Sequence, residues 1–245
     1  PPRPDQFIEI NNFYTSTVYE KSAECFRMLK LVVGDQCYFK CISEYLEQYD
    51  GKAATLENLL DIFSKNSELN MEQFSLWFTQ AGRPIVYITS DYDEDQKTFT
   101  VEFRQERNKP LKNGDLWEPL WIPIKLGLID QRGLSLLKKS EYPEIGSDDS
   151  IVFHLQRNAD KIVFNGINRE PLLSLFRDFS APVDWNYSYK REDLVSLSRY
   201  DKNAVSRWEV CQRTYLDQVR LLVGFYENSE PLKLEDSFLD LFIDI

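Results

Sequence analysis

"NNFYTSTVYEKSAECFRMLK", Asn11 to Lys30, sets two tyrosines, Tyr14 and Tyr19, at the mouth of an amphipathic run. Val18, Ala23, Phe26, Leu29 and Val33 recur near helical spacing, and Gly34 supplies the stop. An acid and a base, Glu20 and Lys21, follow the second tyrosine directly. Glu20 and Glu24 stack one turn apart, a like-charge pair that costs about 0.2–0.5 kcal/mol on a bare helix. Arg27, three positions beyond Glu24, relieves part of that cost. Taken alone, a tyrosine at a helix mouth is an ordinary amphipathic aromatic. A phenol has one further use: with an ordinary pKa of about 10 it stays protonated at neutral pH and can donate a hydrogen bond to a developing oxyanion.

Outward from this stretch the chain falls into three zones. The first, to about Gly82, reads as helical. Tyr38, Phe39, Ile42, Tyr45 and Leu46 predict a second helix ending at "YDG", and Thr55 is the expected N-cap of "LENLLDIF", with Glu57 and Asn58 in its first turn. Asn70 and Gln73 form a capping-box-like start for "MEQFSLWF", and "AGRP" breaks that helix with glycine and proline. From about 84 to 184 the period changes. "PIVYITSDY", "TFTVEFRQE", "LWIPIKLGLI", "SIVFHL" and "KIVFNGI" are short β-branched or aromatic runs between turn signals. Phe99, Val101 and Phe103 alternate with polar residues, as do Ile122, Ile124, Leu126 and Leu128, and strands at this spacing predict a β-sandwich. The third zone returns to helix, with an apolar stripe at Val205, Trp208, Cys211, Tyr215, Val219 and Leu222 and another at Phe238, Leu241 and Phe242. Two or three such helices look like an unfinished helical array.

The totals exclude several classes. With 42% hydrophobic residues in 245, the chain buries a sizeable core and is not a disordered segment. Forty acidic against 29 basic side chains give a net charge of −11, a surface that repels phosphate backbones, so no nucleic-acid partner is expected. Cys37 and Cys41 stand one helical turn apart, poor geometry for a bridge, and with Cys25 and Cys211 they read as reduced thiols of a cytoplasmic protein. No apolar run approaches the roughly 18 residues of a membrane span, and no membrane association is expected.

Motif by motif, no complete active site emerges. His154 is the one histidine, on an alternating strand where a packed or solvent-facing role outranks metal ligation. There is no HExxH, no nucleophile elbow, no redox CxxC and no glycine-rich phosphate loop.

Against that background the opening stretch closely resembles the region downstream of the zinc site in aminopeptidase N-type zinc peptidases, the gluzincins that remove N-terminal residues. The family's T-V-Y-E-K-G is matched by Thr17, Val18, Tyr19, Glu20 and Lys21. "YDGKAATLENLLDIF" resembles the family's HDG-x-A-T helix start, and "FSLWFTQAGRPIV" its W-[YF]-x-Q-[AS]-G-T-P boundary. "SLFRDFSAPV", Ser174 to Val183, is similar to the end of the family's sandwich domain, and "SRWEVCQ", Ser206 to Gln212, to the start of its C-terminal helical domain.

The resemblance implies an α+β multidomain chain: the helical end of a thermolysin-like catalytic domain over 1–83, a β-sandwich over 84–184, and the first helices of an α-helical cap over 185–245. It implies that Tyr19 is the catalytic tyrosine, donating to the oxyanion formed when zinc-activated water attacks the scissile carbonyl. Tyr14 is expected to line the same substrate cavity, with Glu20 and Lys21 structural. The family's HExxH, third zinc-ligand glutamate and Gly-x-Met-x-Asn motif have no match, and by family order they precede Pro1. The expectation is therefore an internal fragment with no metal of its own, zinc being held in the full-length parent. Peptides would be its substrates, and the remaining domains of the same polypeptide its partners. Exposed apolar surface is expected on the helices of 13–78 and of 202–244. Two positions depart from the family: Ser22 stands where glycine follows the lysine, and Arg83 where threonine precedes Pro84. A non-catalytic scaffolding module, with Trp117, Trp121 and Trp185 as a ligand face, is the alternative.

Overall fold

The structure, a computed structural model, describes all residues except 5, 109–116, 139, 143, 236, 237 and 240–245. Leu241 and Phe242 of the expected terminal stripe thus lie outside the described residues. The apolar period of the opening stretch makes α1 (Ser22–Val33), which buries Cys25, Met28 and Leu29 and ends at Gly34. That glycine has φ 81°, a backbone that side chains with a Cβ disfavour. Helix α2 (Asp35–Tyr49) fully buries Cys41 alone, leaving Phe39 and Leu46 exposed. Thr55 caps α3 (Leu56–Ser67) through a reciprocal box. Its hydroxyl accepts from the Asn58 amide at 3.3 Å while Asn58 Oδ1 accepts from the Thr55 amide at 2.9 Å.

The box expected at Asn70 and Gln73 does not form. Asn70 Oδ1 accepts from the Glu72 amide at 2.8 Å, opening α4 (Glu72–Thr79). Gln73 instead donates to the carbonyls of Pro119 and Gln156 at 3.0 and 2.6 Å. Those acceptors flank strands of the sandwich and tie α4 to it. Gln80 brackets Glu118 in both directions at 2.9 Å, and the Trp77 indole donates to the Trp121 carbonyl at 2.8 Å. Side chains of α1 to α4 and both sheets share one contiguous core.

The five strand readings hold: β1 (Pro84–Asp93), β2 (Thr98–Arg107), β3 (Ile122–Ile129), β4 (Ile151–Leu155) and β5 (Ala159–Phe164). Two short strands, β6 (Leu172–Ser174) and β7 (Asp184–Asn186), carry too little pattern to be seen in the sequence. The sheets run β5-β2-β1-β7 and β4-β3-β6, antiparallel except for the β1–β7 pair. Register Ile85↔Asp184 to Tyr87↔Asn186 carries the first sheet two residues past position 184. The inner faces meet at Phe103 and Phe153, whose rings stack 5.0 Å apart. Strand β3 is buried at Pro123, Gly127 and Ile129 as well as at its alternating apolar positions: Arg177 and Ser180 lie over Gly127 and Lys125 on its outer face, and Ile129 packs against Leu197 and Val210.

Helices α5 (Arg191–Tyr200) and α6 (Ala204–Glu227) follow the sandwich, and Leu197 and Val210 join Ile129 and Leu172 in a small second core. The stripe expected on α6 is not its buried face. Ser206, Val210 and Gln218 are buried, whereas Trp208 and Val219 are exposed. The polar face turns inward because Ser206 and Gln218 find partners there: Ser174 Oγ at 3.1 Å, and the Lys233 carbonyl and Glu235 amide.

Between the sandwich and these helices lies Arg177, 2% exposed, paired with fully buried Asp201 at 3.1 Å. Its Nε donates to Ser174 Oγ at 2.8 Å, and its Nη1 to Ser150 Oγ at 3.0 Å and to the carbonyls of Asp148 and Asp149. Ser174 Oγ donates to the second Asp201 oxygen at 2.5 Å. A Cβ at residue 127 would collide with the guanidinium, so Gly127 is what admits it. Removing one partner of a fully buried pair strands the other charge. Arg177→Met is expected to cost about 3–5 kcal/mol, and Gly127→Ala about 1–3 kcal/mol through overpacking, both read from urea unfolding midpoints.

All four cysteines are free, with Cys25 and Cys41 buried and Cys37 and Cys211 partly open. Burial pushes the Cys25 and Cys41 thiols up to about 12. Thiol titration at pH 8 in native buffer should show Cys37 and Cys211 labelled first, and Cys25 and Cys41 only on unfolding; early modification of Cys25 would contradict this packing.

Candidate active site

The residues before α1 do not form a plain loop. A 3-10 turn, Ile10–Phe13, is followed by a single π-helical turn, Thr17–Lys21, that runs straight into α1. Thr15 starts this turn: its carbonyl accepts from the Tyr19 amide at 3.0 Å and its hydroxyl from the Val18 amide at 3.2 Å. Such wide turns are rare and concentrate at functional positions. Tyr19 sits in the middle of it, 57% exposed, and Tyr14 is 68% exposed. Their rings stack with centroids 6.3 Å apart and planes 23° from parallel. The two predicted site tyrosines are thus neighbours on one open face, and Phe7, Ile8 and Ile10, a few residues earlier in the chain, are exposed as well. What this face offers chemically is a pair of phenol hydroxyls beside apolar surface, suited to donating hydrogen bonds rather than to nucleophilic attack.

The residues beyond Tyr19 turn the other way. Glu20 is exposed, but Lys21 folds inward and donates to the carbonyls of Gly82 at 3.0 Å and Gln80 at 3.4 Å. Burial lowers the pKa of its ammonium from the ordinary lysine range. Arg27 relieves Glu24 as expected, at 2.5 Å, and also reaches the carbonyls of Asp178, at 2.5 Å, and Phe179. Arg83, the departure from the family pattern, has a partner: it forks onto Asp184 of β7 at 2.6 and 3.1 Å.

Other candidates are occupied elsewhere. His154 Nδ1 accepts from the Trp121 indole at 2.9 Å, which holds the imidazole neutral at that nitrogen, and burial lowers its pKa. Among the described residues no group of three or more His, Cys, Asp or Glu converges as a metal site. Zinc therefore has no fit among them. Trp121 is buried, and Trp185 lies between the Phe176 ring at 5.6 Å and the Arg213 guanidinium at 3.5 Å, which makes these two tryptophans packing rather than a ligand face. No helix among the described residues is long and apolar enough to cross a membrane.

Sequence reasoning missed the Arg177 cluster. Its only trace is the run "SLFRDF", where an arginine sits among leucine and phenylalanine.

Residues 3–78 match the Peptidase family M1 domain, and residues 82–188 match a domain of unknown function with an Ig-like fold. Aminopeptidase N of Haemophilus influenzae is 35% identical over 241 residues, covering 98% of this chain and 27% of that protein. Aminopeptidase N of Escherichia coli is 32% identical over 243 residues, 99% of this chain and 27% of its own length. Among solved structures, Legionella pneumophila aminopeptidase A in complex with aspartic acid superposes with a TM-score of 0.80 at 26% identity, over 98% of this chain and 26% of that one. The chain thus spans about a quarter of these relatives, yet matches them along nearly its whole length, the peptidase part first and the Ig-like part second. It belongs to the aminopeptidase N type of peptidase family M1.

Proposed function

We propose that this chain is part of a zinc aminopeptidase that removes N-terminal residues from peptides, and that it contributes the transition-state hydrogen-bond donor, Tyr19. The observation that carries the reading is the exposed Tyr19 on its π turn, within T-V-Y-E-K and stacked with Tyr14. Attack on a peptide carbonyl turns a neutral oxygen into an anion. A donor fixed where that charge develops lowers the barrier more than it helps bind the ground state. Tyr19 supplies such a donor, and Tyr14 lines the same cavity. Zinc, when bound, would activate the attacking water, and its ligands belong to residues outside this chain.

In this reading residues 1–83 are the helical end of a thermolysin-like catalytic domain, 84–184 the sandwich, and 185–245 the opening of an α-helical cap. Exposed apolar side chains at both ends support it. Ile8, Ile10 and Tyr14 lie at one end, and Leu216, Val219, Val223 and Tyr226 follow the 3–4–3 spacing of a helix-packing stripe on α6. Further domains of the same polypeptide would cover both. Four unpaired thiols suit a reducing, cytoplasmic setting.

In a polypeptide that contains this chain and its upstream metal site, Tyr19→Phe is expected to lower kcat about 10²–10³-fold, with little change in KM. An unaltered kcat refutes the role. The chain by itself should hold no stoichiometric zinc after dialysis, as read by metal analysis; one tightly held zinc per chain would contradict the reading.

A further inference from the structure

We infer that the Ig-like sandwich is the positioning platform for Tyr19, acting through Lys21 and Arg27. This rests on the reading of Tyr19 as the oxyanion donor and gives the domain of unknown function a part in the reaction. The π turn that carries Tyr19 has an exposed ring and no core of its own; no residue from Thr17 to Lys21 is buried. With no side chain of its own buried, this rare kind of turn is held in place by contacts made elsewhere.

Lys21 is the anchor, two residues beyond Tyr19. Its ammonium holds the carbonyls of Gln80 and Gly82, in the strap that enters β1 at Pro84. The strap is itself fixed, because the Gln80 side chain brackets the Glu118 backbone at 2.9 Å from both directions. Further along α1, Arg27 holds the carbonyls of Asp178 and Phe179. These two residues and Phe176 have left-handed backbones, φ 57°, 53° and 49°. Such strain persists only where the surroundings impose it. Here they do: Arg177 is locked in its buried cluster, Lys125 pairs with Asp178 at 2.6 Å, and Asn203 donates to Asp178 at 2.7 Å. The carbonyls are thus rigid acceptors, and the helix behind Tyr19 is tied to the sandwich directly by Arg27 and, through the strap of residues 80–82 bonded to Glu118, by Lys21. Lys21 and Arg27 act as positioning residues and need not touch substrate. A displacement of about 1 Å in a catalytic group costs on the order of 10²-fold in rate.

The test uses the full polypeptide that carries this chain. Lys21→Met should lower kcat roughly 10- to 100-fold with KM nearly unchanged, and Lys21→Arg should restore most of it. In a Tyr19→Phe background Lys21→Met should have almost no further effect, because there is no hydroxyl left to position. A loss of equal size in both backgrounds overturns the inference, since that is general damage to the fold. An unchanged kcat for Lys21→Met overturns it too, while a collapse in Tyr19→Phe alone would leave the reading of the tyrosine intact. If Tyr19→Phe itself is silent, both fall. Should Lys21→Met not fold, Arg27→Met in the same cycle decides the matter by the same criteria.

Discussion

The buried guanidinium of Arg177 is the interaction on which the arrangement of parts depends. A fully buried ion pair is not in itself a source of stability, because two charges must leave water to form it. What makes it tenable is that each guanidinium nitrogen has an acceptor: Nε has Ser174, Nη1 has Ser150 and two backbone carbonyls, and Nη2 has Asp201. The carboxylate is equally satisfied, by the guanidinium, by the Ser174 hydroxyl and by the Asn203 amide. Each partner comes from a different part of the chain. Ser174 is in β6, Asp148 to Ser150 lead into β4, and Asp201 joins α5 to α6. Strand β3 contributes by having nothing at Gly127 but a hydrogen. The sandwich and the last two helices can therefore meet in one way only.

From that fixed point the consequences run toward the candidate site. Locking Arg177 forces its neighbours into left-handed backbones, and the carbonyls of Asp178 and Phe179 become acceptors for Arg27. At the other edge of the sheet, three glutamines do comparable work. Gln73 and Gln80 bond the backbone leading into β3, and buried Gln105 of β2 holds Leu120 in both directions at 2.9 Å. Buried Leu120 would otherwise leave its amide and carbonyl unpartnered. Helical part and sandwich are in consequence one packed body with one core, and the tyrosine turn sits on its open side.

The Arg83–Asp184 fork shows how a local departure from the family pattern is absorbed. A threonine-to-arginine change at the entry to β1 would leave a free charge at a boundary. Here it meets a carboxylate on the strand that pairs with that entry, with Asn108 also donating to Asp184 at 3.0 Å. Since both partners are partly exposed, the pair contributes little stability, and its effect is to fix register rather than to hold the boundary shut.

Much of this was legible from residue order. Helical period marked α1 to α4, Gly34 and "AGRP" marked their ends, Thr55 the N-cap of α3, and short β-branched or alternating runs the five longer strands. The T-V-Y-E-K run singled out Tyr19 only through its resemblance to the family motif. The rest was decided by contacts between residues far apart in the chain. Strands β6 and β7 are three residues each and exist because β3 and β1 offer them edges. Gln73 left its expected cap for carbonyls 46 and 83 residues away. Helix α6 turned Ser206 and Gln218 inward, against its apolar stripe, because their partners lie there. Periodicity reports which side of an element prefers water; it carries no information about which polar group will find a partner across the core, and that pairing is fixed only when the chain has closed on itself.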